Sequence, residues 1–286
     1  MPVSFGDFNK SNQDLFKGFC TKKSTTTFTA KSDNQTVKTE LAKKSGSVAG
    51  YLKLTRNFDF SKFNFGLNVK ATSGGGLEVE ETLSKLPVEG VTLKFKNSEG
   101  VGCCDCISTQ VEYADDNANC SLDFAKCNCT KSGHENHKIN FAATFQYENF
   151  TFGGMFKASE LKADEKKFSH SGGLGYSGDN YWLYAFGKDM KDITVGYNHT
   201  FEKKTNFGVE LCHFKAEDKD DELTVGANHK IDDDNSFKGK YNSSGVLAFA
   251  YSTKFAKQVG GTVGINLDMN DSSKAANVGW GLDFKF

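Results

Sequence analysis

Segments of about nine to eleven residues in which apolar and polar side chains alternate recur from about Thr25 to the last residue, and this repeat constrains the fold more than any other feature. In Asn277 to Phe286, Val278, Trp280, Leu282, Phe284 and Phe286 share one parity, opposite Asn277, Gly279, Gly281, Asp283 and Lys285. Val259 to Asp268 and Val246 to Phe255 repeat the pattern, as do Phe63 to Thr72, His137 to Tyr147, Phe150 to Ala158, Asp192 to Phe201 and Glu222 to Lys230. A period of two is that of β-strands, and ten residues is the length a tilted strand needs to cross a bilayer. Short polar links such as Glu202-Lys-Lys and Asp232-Asp-Asp-Asn read as hairpin turns. Only 2 prolines interrupt the chain, and 26 phenylalanines favour strands. The expected fold is all-β, a transmembrane up-and-down β-barrel.

No run of eighteen apolar residues exists, so a transmembrane helix is excluded, whereas a barrel with a polar lumen matches the mean hydropathy of -0.51. A soluble barrel or sandwich would bury the apolar face and charge the other uniformly. Here the polar face is rich in Gly, Asn and Thr. The apolar face is read as carrying Trp182, Tyr184, Phe186, Tyr197, Tyr251 and Trp280, rings suited to a bilayer interface. A balance of 35 Lys+Arg against 36 Asp+Glu argues against a nucleic-acid partner. No apolar leader with a small-residue cleavage site opens the chain. That is the expectation for a mitochondrial barrel made in the cytosol, not for a bacterial one. No nucleophile, base and orienting group occur at recognisable spacing, so an enzyme reading finds no support.

Residues 1–24 differ from the rest. Phe5, Phe8, Leu15, Phe16 and Phe19 fall at helical spacing, with Lys10, Ser11, Gln13, Asp14 and Lys17 opposite. An amphipathic helix is expected before a barrel spanning residues 25–286. It lies either folded into the lumen or on the lipid surface.

Several segments resemble the voltage-dependent anion channels, or mitochondrial porins. Lys10-Ser11 and Asp14-Leu15-Phe16-x-Lys-Gly18 are similar to that family's N-terminal helix. His229-x-Ile-Asp-Asp, followed by Phe237-Lys-Gly-Lys-Tyr-Asn-Ser-Ser244, is similar to its signature segment, with departures at Asn235 and Tyr241. Asn277-x-Gly279-x-x-Leu282-x-Phe284 resembles the sorting signal on the last strand of mitochondrial barrels. The resemblance implies about nineteen strands, residence in the mitochondrial outer membrane, and passage of anionic metabolites such as ATP and ADP. It links Lys10, Asp14 and Lys17 on the helix, and Ser244 and Val246 near the signature, to nucleotide contact.

With the apolar parity facing lipid, the lumen receives Lys31, Lys38, Lys53, Lys70, Lys94, Lys96, Lys157, Lys230, Lys238, Lys240, Lys254 and Lys285. Eight acids share that face: Glu40, Glu78, Glu80, Glu112, Asp123, Glu210, Asp268 and Asp283. The excess of four positive charges favours anions weakly, because a wide pore is screened within about 8 Å. Cys103, Cys106, Cys127 and Cys129, with His134 and His137 near, are read as lying in two connections of one rim, after the sixth and eighth strands. Zinc, a disulfide clip and free thiols are all open there, and no other cofactor is expected. The alternative to a metabolite channel is a barrel subunit of a larger outer-membrane assembly, structural or a preprotein translocase pore, with outer-membrane protein partners.

Overall fold

The computed structural model describes residues 2–19, 24–44, 47–101, 104–129, 135–162, 165–189, 191–215, 220–271 and 273–286. A single 3₁₀ turn, Phe5–Asp7, precedes one helix, α1 (Lys10–Phe16). Nineteen strands follow: β1 (Ser24–Ser32), β2 (Gln35–Lys44), β3 (Ser47–Asp59), β4 (Asn64–Thr72), β5 (Leu77–Ser84), β6 (Val91–Val101), β7 (Cys104–Ala114), β8 (Ala118–Cys129), β9 (Glu135–Tyr147) and β10 (Phe150–Lys162), then β11 (Glu165–Ser177), β12 (Tyr181–Lys188), β13 (Asp192–Phe201), β14 (Thr205–Phe214), β15 (Glu222–Lys230), β16 (Asn235–Asn242), β17 (Val246–Ala256), β18 (Val259–Asp268) and β19 (Asn277–Lys285).

Each strand pairs antiparallel with the next, and β1 closes on β19 in parallel, from Ser24 opposite Trp280 to Thr29 opposite Lys285. Closure satisfies every strand edge inside the wall, the condition for crossing hydrocarbon without a helix. An odd strand number forces the one parallel pair. The connections after odd-numbered strands share one rim (here the hairpin rim); those after even-numbered strands share the far rim.

Strand parity is set by what covers each face. Phe28, Leu41, Leu52, Phe95, Phe141, Phe152, Val195, Tyr251, Val263 and Trp280 are each at least 40% exposed, a continuous apolar exterior that a bilayer would cover. Rings gather outside along the hairpin rim. Phe58, Phe60, Phe63 and Phe65 sit about the β3–β4 turn, and Phe150 meets Tyr176 at 5.0 Å. Tyr181 stacks on His199, His199 meets Phe201 at a tilt with ring centres 4.1 Å apart, and Phe28 stacks on Phe284 at 4.9 Å. Such a girdle marks a headgroup boundary.

Three rings break the expected parity. Trp182, Tyr184 and Phe186 point inward, while Tyr197, Tyr251 and Trp280 remain outside. Glycines make the room: Tyr184 stands opposite Gly175 and Gly196, and Phe186 opposite Gly173. A Cβ at Gly196 would run into the Tyr184 ring. The apolar cover that these rings need comes from the N-terminal segment. Phe5, Phe8 and Tyr184 form one buried cluster, with Trp182, Phe186, Ala142 and Met155 packed against it.

Candidate functional site

The N-terminal segment contacts strands from β9 round to β18, a span that a short segment can bridge only from within the barrel. It is shorter and less regular than the expected Phe5 to Phe19 helix, because Asn9 separates the 3₁₀ turn from α1. Its apolar stripe is nonetheless continuous: Phe5, Phe8, Leu15 and Phe19 are all buried. Phe19 beds on Ala248 and Ala250, and its carbonyl occupies the space over Gly264 that any side chain would fill.

A polar clamp lies within that stripe. Asn12 is 0% exposed and donates to the Tyr184 hydroxyl at 2.8 Å and the Val209 carbonyl at 2.9 Å, while accepting from Asn198 Nδ2 at 3.0 Å. The Tyr184 hydroxyl in turn donates to Glu210 Oε2 at 2.5 Å, and Asn9 Nδ2 donates to that same oxygen at 3.3 Å. Trp182 Nε1 donates to the Phe8 carbonyl at 2.8 Å, and Thr144 Oγ1 to the Val3 carbonyl at 2.9 Å. Sequence reading missed Asn12 and Glu210 as anchors. The signal was present: Asn12 is four residues after Phe8 and three before Leu15, on the apolar side of the helical period.

The end of α1 is held by cations. Lys238 Nζ donates to the Asp14 carbonyl and, at 2.7 Å, to the Lys17 carbonyl; Lys240 Nζ reaches the Phe16 carbonyl at 2.9 Å. Orphan carbonyls at a helix C-terminus attract such groups. Both ammoniums also lie over the Phe19 ring, at 5.3 and 5.4 Å. Lys240 is thus brought to the helix end. Lys10, Asp14 and Lys17 line its water side: Lys10 faces Asp7 at 3.6 Å, and Lys17 bonds Gln13 at 2.7 Å. A cavity of about 460 Å³ between helix and wall is bordered by Asp7, Lys10, Asp14, Thr151 and Trp182.

The other candidates are dispersed. Register places Lys94 and Lys96 on the inner face of β6, paired with Glu112 at 2.8 Å and Glu78 at 3.1 Å. Val246 lies inward at the start of β17, opposite Asp268, and Ser244 is in the β16–β17 turn, where its carbonyl accepts from Asn270 Nδ2 at 3.0 Å. On β19, Asn277 and Gly279 face inward opposite Asn266 and Gly264, and Leu282 and Phe284 face out. The twelve lysines and eight acids read as inward all sit at inward register positions. Lys138, Lys167 and Lys188 join them, balanced by Asp59, Asp192 and Glu222, so the excess of four stands among the described residues.

The cysteines are arranged differently from the sequence reading. Cys106, Cys127 and Cys129 lie in strands rather than in connections, and β7 and β8 pair directly: Cys104 opposite Cys129 and Cys106 opposite Cys127. Cys106 and Cys127 form a disulfide on the inner face, with Cα atoms 4.1 Å apart. Oxidised, these two sulfurs are not thiolate ligands, which removes half of the four-cysteine zinc set. His137 stands at an outward position on β9, its ring 6.4 Å from Phe124, on the opposite face of the wall from the disulfide. Cys103 and His134 lie outside the described residues, as does the side chain of Cys129.

A family profile described as eukaryotic porin matches residues 1–279. Among solved structures, a triple mutant of the Rh. blastica porin shares 12% identity with a TM-score of 0.51, covering 87% of this chain and 91% of that one. Another mutant of the same porin, also 12% identical at 0.51, covers 92% and 96%. At that identity the likeness speaks for the barrel fold alone. No curated protein matches the chain. The closed barrel, its water-facing charges and the profile match together make this chain a pore-forming member of the eukaryotic porin family.

Proposed function

We propose that the barrel conducts anions and small metabolites, adenine nucleotides among them, across the mitochondrial outer membrane. The observation that carries this reading is the excess of four positive charges on the inner wall, to which Lys10 and Lys17 on the helix add against Asp14. A fixed positive lumen raises the local concentration of anions without binding any of them tightly. Lys10, Lys17, Lys94, Lys96 and Lys240 are the side chains that a passing polyphosphate would meet, with Asp14, Ser244 and Val246 near its path. The odd strand count supports the location. Bacterial single-chain barrels have even numbers, and the mitochondrial channel family is the known nineteen-stranded exception. The inward Asn277 and Gly279 with outward Leu282 and Phe284 supply a last-strand sorting signal.

Purified protein in a planar bilayer tests the conduction claim. The reversal potential in a potassium chloride gradient should show weak anion preference, and sodium ATP as the only electrolyte should carry current. Strong cation preference would refute the anion claim. Absence of conductance would favour a structural or translocase subunit working with outer-membrane protein partners. Import into isolated mitochondria, compared between the native chain and a Leu282→Asp, Phe284→Asp variant, tests the location.

A further inference from the structure

A groove in the outer wall of β14 to β17 opens onto rim cations that have no partner. Outward register partners there run from Phe207 through Ala227 and Gly239 to Phe249. Two bulky residues thus flank two of the smallest. A trough of about 280 Å³ remains, with Ala227 and Gly239 on its floor and the rings of Phe207, Phe237 and Tyr241 at its sides. From His229 at the hairpin rim to Val225 it follows β15 for about 14 Å, or about 10 Å of depth at a strand tilt near 45°. The trough starts at the level of the ring girdle, where Phe201 faces Thr205, and runs inward from there. An apolar depression at that depth stays dry, so an acyl chain or a membrane helix must fill it.

The rim above the trough decides between the two. His229 lines the upper end, and its Nδ1 lies 2.8 Å from Thr205 Oγ1. With that hydroxyl donating, the ring proton sits on Nε2, which is left to donate to a ligand. Lys204 directly precedes Thr205, and its carbonyl accepts the Lys230 N–H at 2.9 Å, which holds the Lys203–Lys204 turn beside His229. Among the described residues neither ammonium has a hydrogen-bond or ion-pair partner. Glu202 is the acid of that turn and leaves it net positive. The acids of the next turn are engaged elsewhere. Asp232, Asp233 and Asp234 border a separate cavity with the inward Lys230, Lys254 and Lys285, and Lys254 lies 3.5 Å from Asp234.

We infer that this groove binds a phospholipid of net negative charge. One acyl chain lies over Ala227 and Gly239, between Phe207 and Phe237. The phosphate diester meets His229 Nε2 and the ammoniums of Lys203 and Lys204, whose flexible stems reach over the rim to the outer face. A partner's helix would fill the trough and leave these cations unanswered, whereas an anionic headgroup above a buried chain answers both. Each basic side chain at a membrane surface favours anionic lipid about fivefold, so two lysines and a histidine donor should give a preference well beyond that of the wall as a whole.

Mass spectrometry of the intact full-length protein, released from vesicles of mixed phosphatidylglycerol and phosphatidylcholine, tests this by the lipid retained. The native chain should keep one phosphatidylglycerol in preference to phosphatidylcholine by roughly tenfold or more. The triple variant Lys203→Ala, Lys204→Ala, His229→Ala should lose that preference. Ala227→Leu, which fills the trough and keeps the cations, should lower phosphatidylglycerol retention by a similar factor. Lys257→Ala, in the β17–β18 turn of the same rim, should retain it as the native chain does. Single-channel conductance of each variant shows that the barrel still folds. The inference is overturned if the native chain shows no preference, if the triple variant keeps it, or if Lys257→Ala abolishes it. Native retention by a conducting Ala227→Leu barrel would also overturn it, since rim charge alone would then account for the preference. Retention of neither lipid would overturn it as well and leave the trough to a partner's membrane helix.

Discussion

Replacing Asn12 with alanine should release the helix from the wall. Asn12 is fully buried and makes three hydrogen bonds to β12, β13 and β14, through Tyr184, Asn198 and Val209. Each is worth about 1 kcal/mol net, and the partners left behind are buried and lose their solvation as well, so docking should weaken by about 3 kcal/mol. A helix of seven residues is not stable alone, so undocking and unfolding are one event. Backbone amide exchange in Gln13 to Phe16 then reports docking directly, and about 3 kcal/mol corresponds to exchange on the order of a hundredfold faster. Gln13→Ala is the control. Gln13 bonds only Asn9 at 2.6 Å and Lys17 at 2.7 Å, both on its own segment, and its loss should change exchange severalfold at most. Equal exchange in the two variants, or an Asn12→Ala protein indistinguishable from the native one, would refute the polar clamp.

Lys238→Ala with Lys240→Ala removes two of the four excess positive charges and the cation cap of α1, so the salt-gradient reversal potential should move towards zero by roughly half. Alkylation and digestion without reductant should yield a linked peptide pair holding Cys106 and Cys127. Reduction should leave the barrel assembled by heat-shift on gels, since the β7–β8 ladder runs from Cys104 to Ala114 without it. Asp232, in the β15–β16 turn, is held below its ordinary value of 3.8, first by the Asn235 side-chain amide and then by the Asp234 and Asn235 N–H groups. A lowered carboxyl stabilises the fold above the ordinary value and loses that contribution as pH falls through the lowered one. Melting curves of Asp232→Asn in detergent should therefore lie below the native curves at neutral pH and converge with them below about pH 3.8.

Alternation made the wall legible because period two is a property of the backbone, and every inward lysine and acid read from parity sits at an inward register position. Alternation also says which residues share a face without saying what covers it. Trp182, Tyr184 and Phe186 were assigned to lipid because they are apolar, yet they stand at inward positions and meet the N-terminal segment rather than water. The cysteines misled for another reason. Strand ends in paired hairpins are set by the partner's length, and β7 and β8 extend together until Cys104 faces Cys129. A subtler trace of the helix was in the sequence. Inward positions of β10 to β18 hold Gly153, Gly173, Gly175, Gly196, Gly208, Gly226 and Gly264 among seven inward lysines, whereas inward positions of β1 to β8 hold Gly66 with Lys31, Lys38, Lys53, Lys70, Lys94 and Lys96 and six acids. Glycine lets a second layer of backbone approach, and charge demands water. The glycines therefore mark where the N-terminal segment lies against the wall, and its contacts with β9 to β18 leave the passage for solutes along β1 to β8, beside the helix face that carries Lys10 and Lys17.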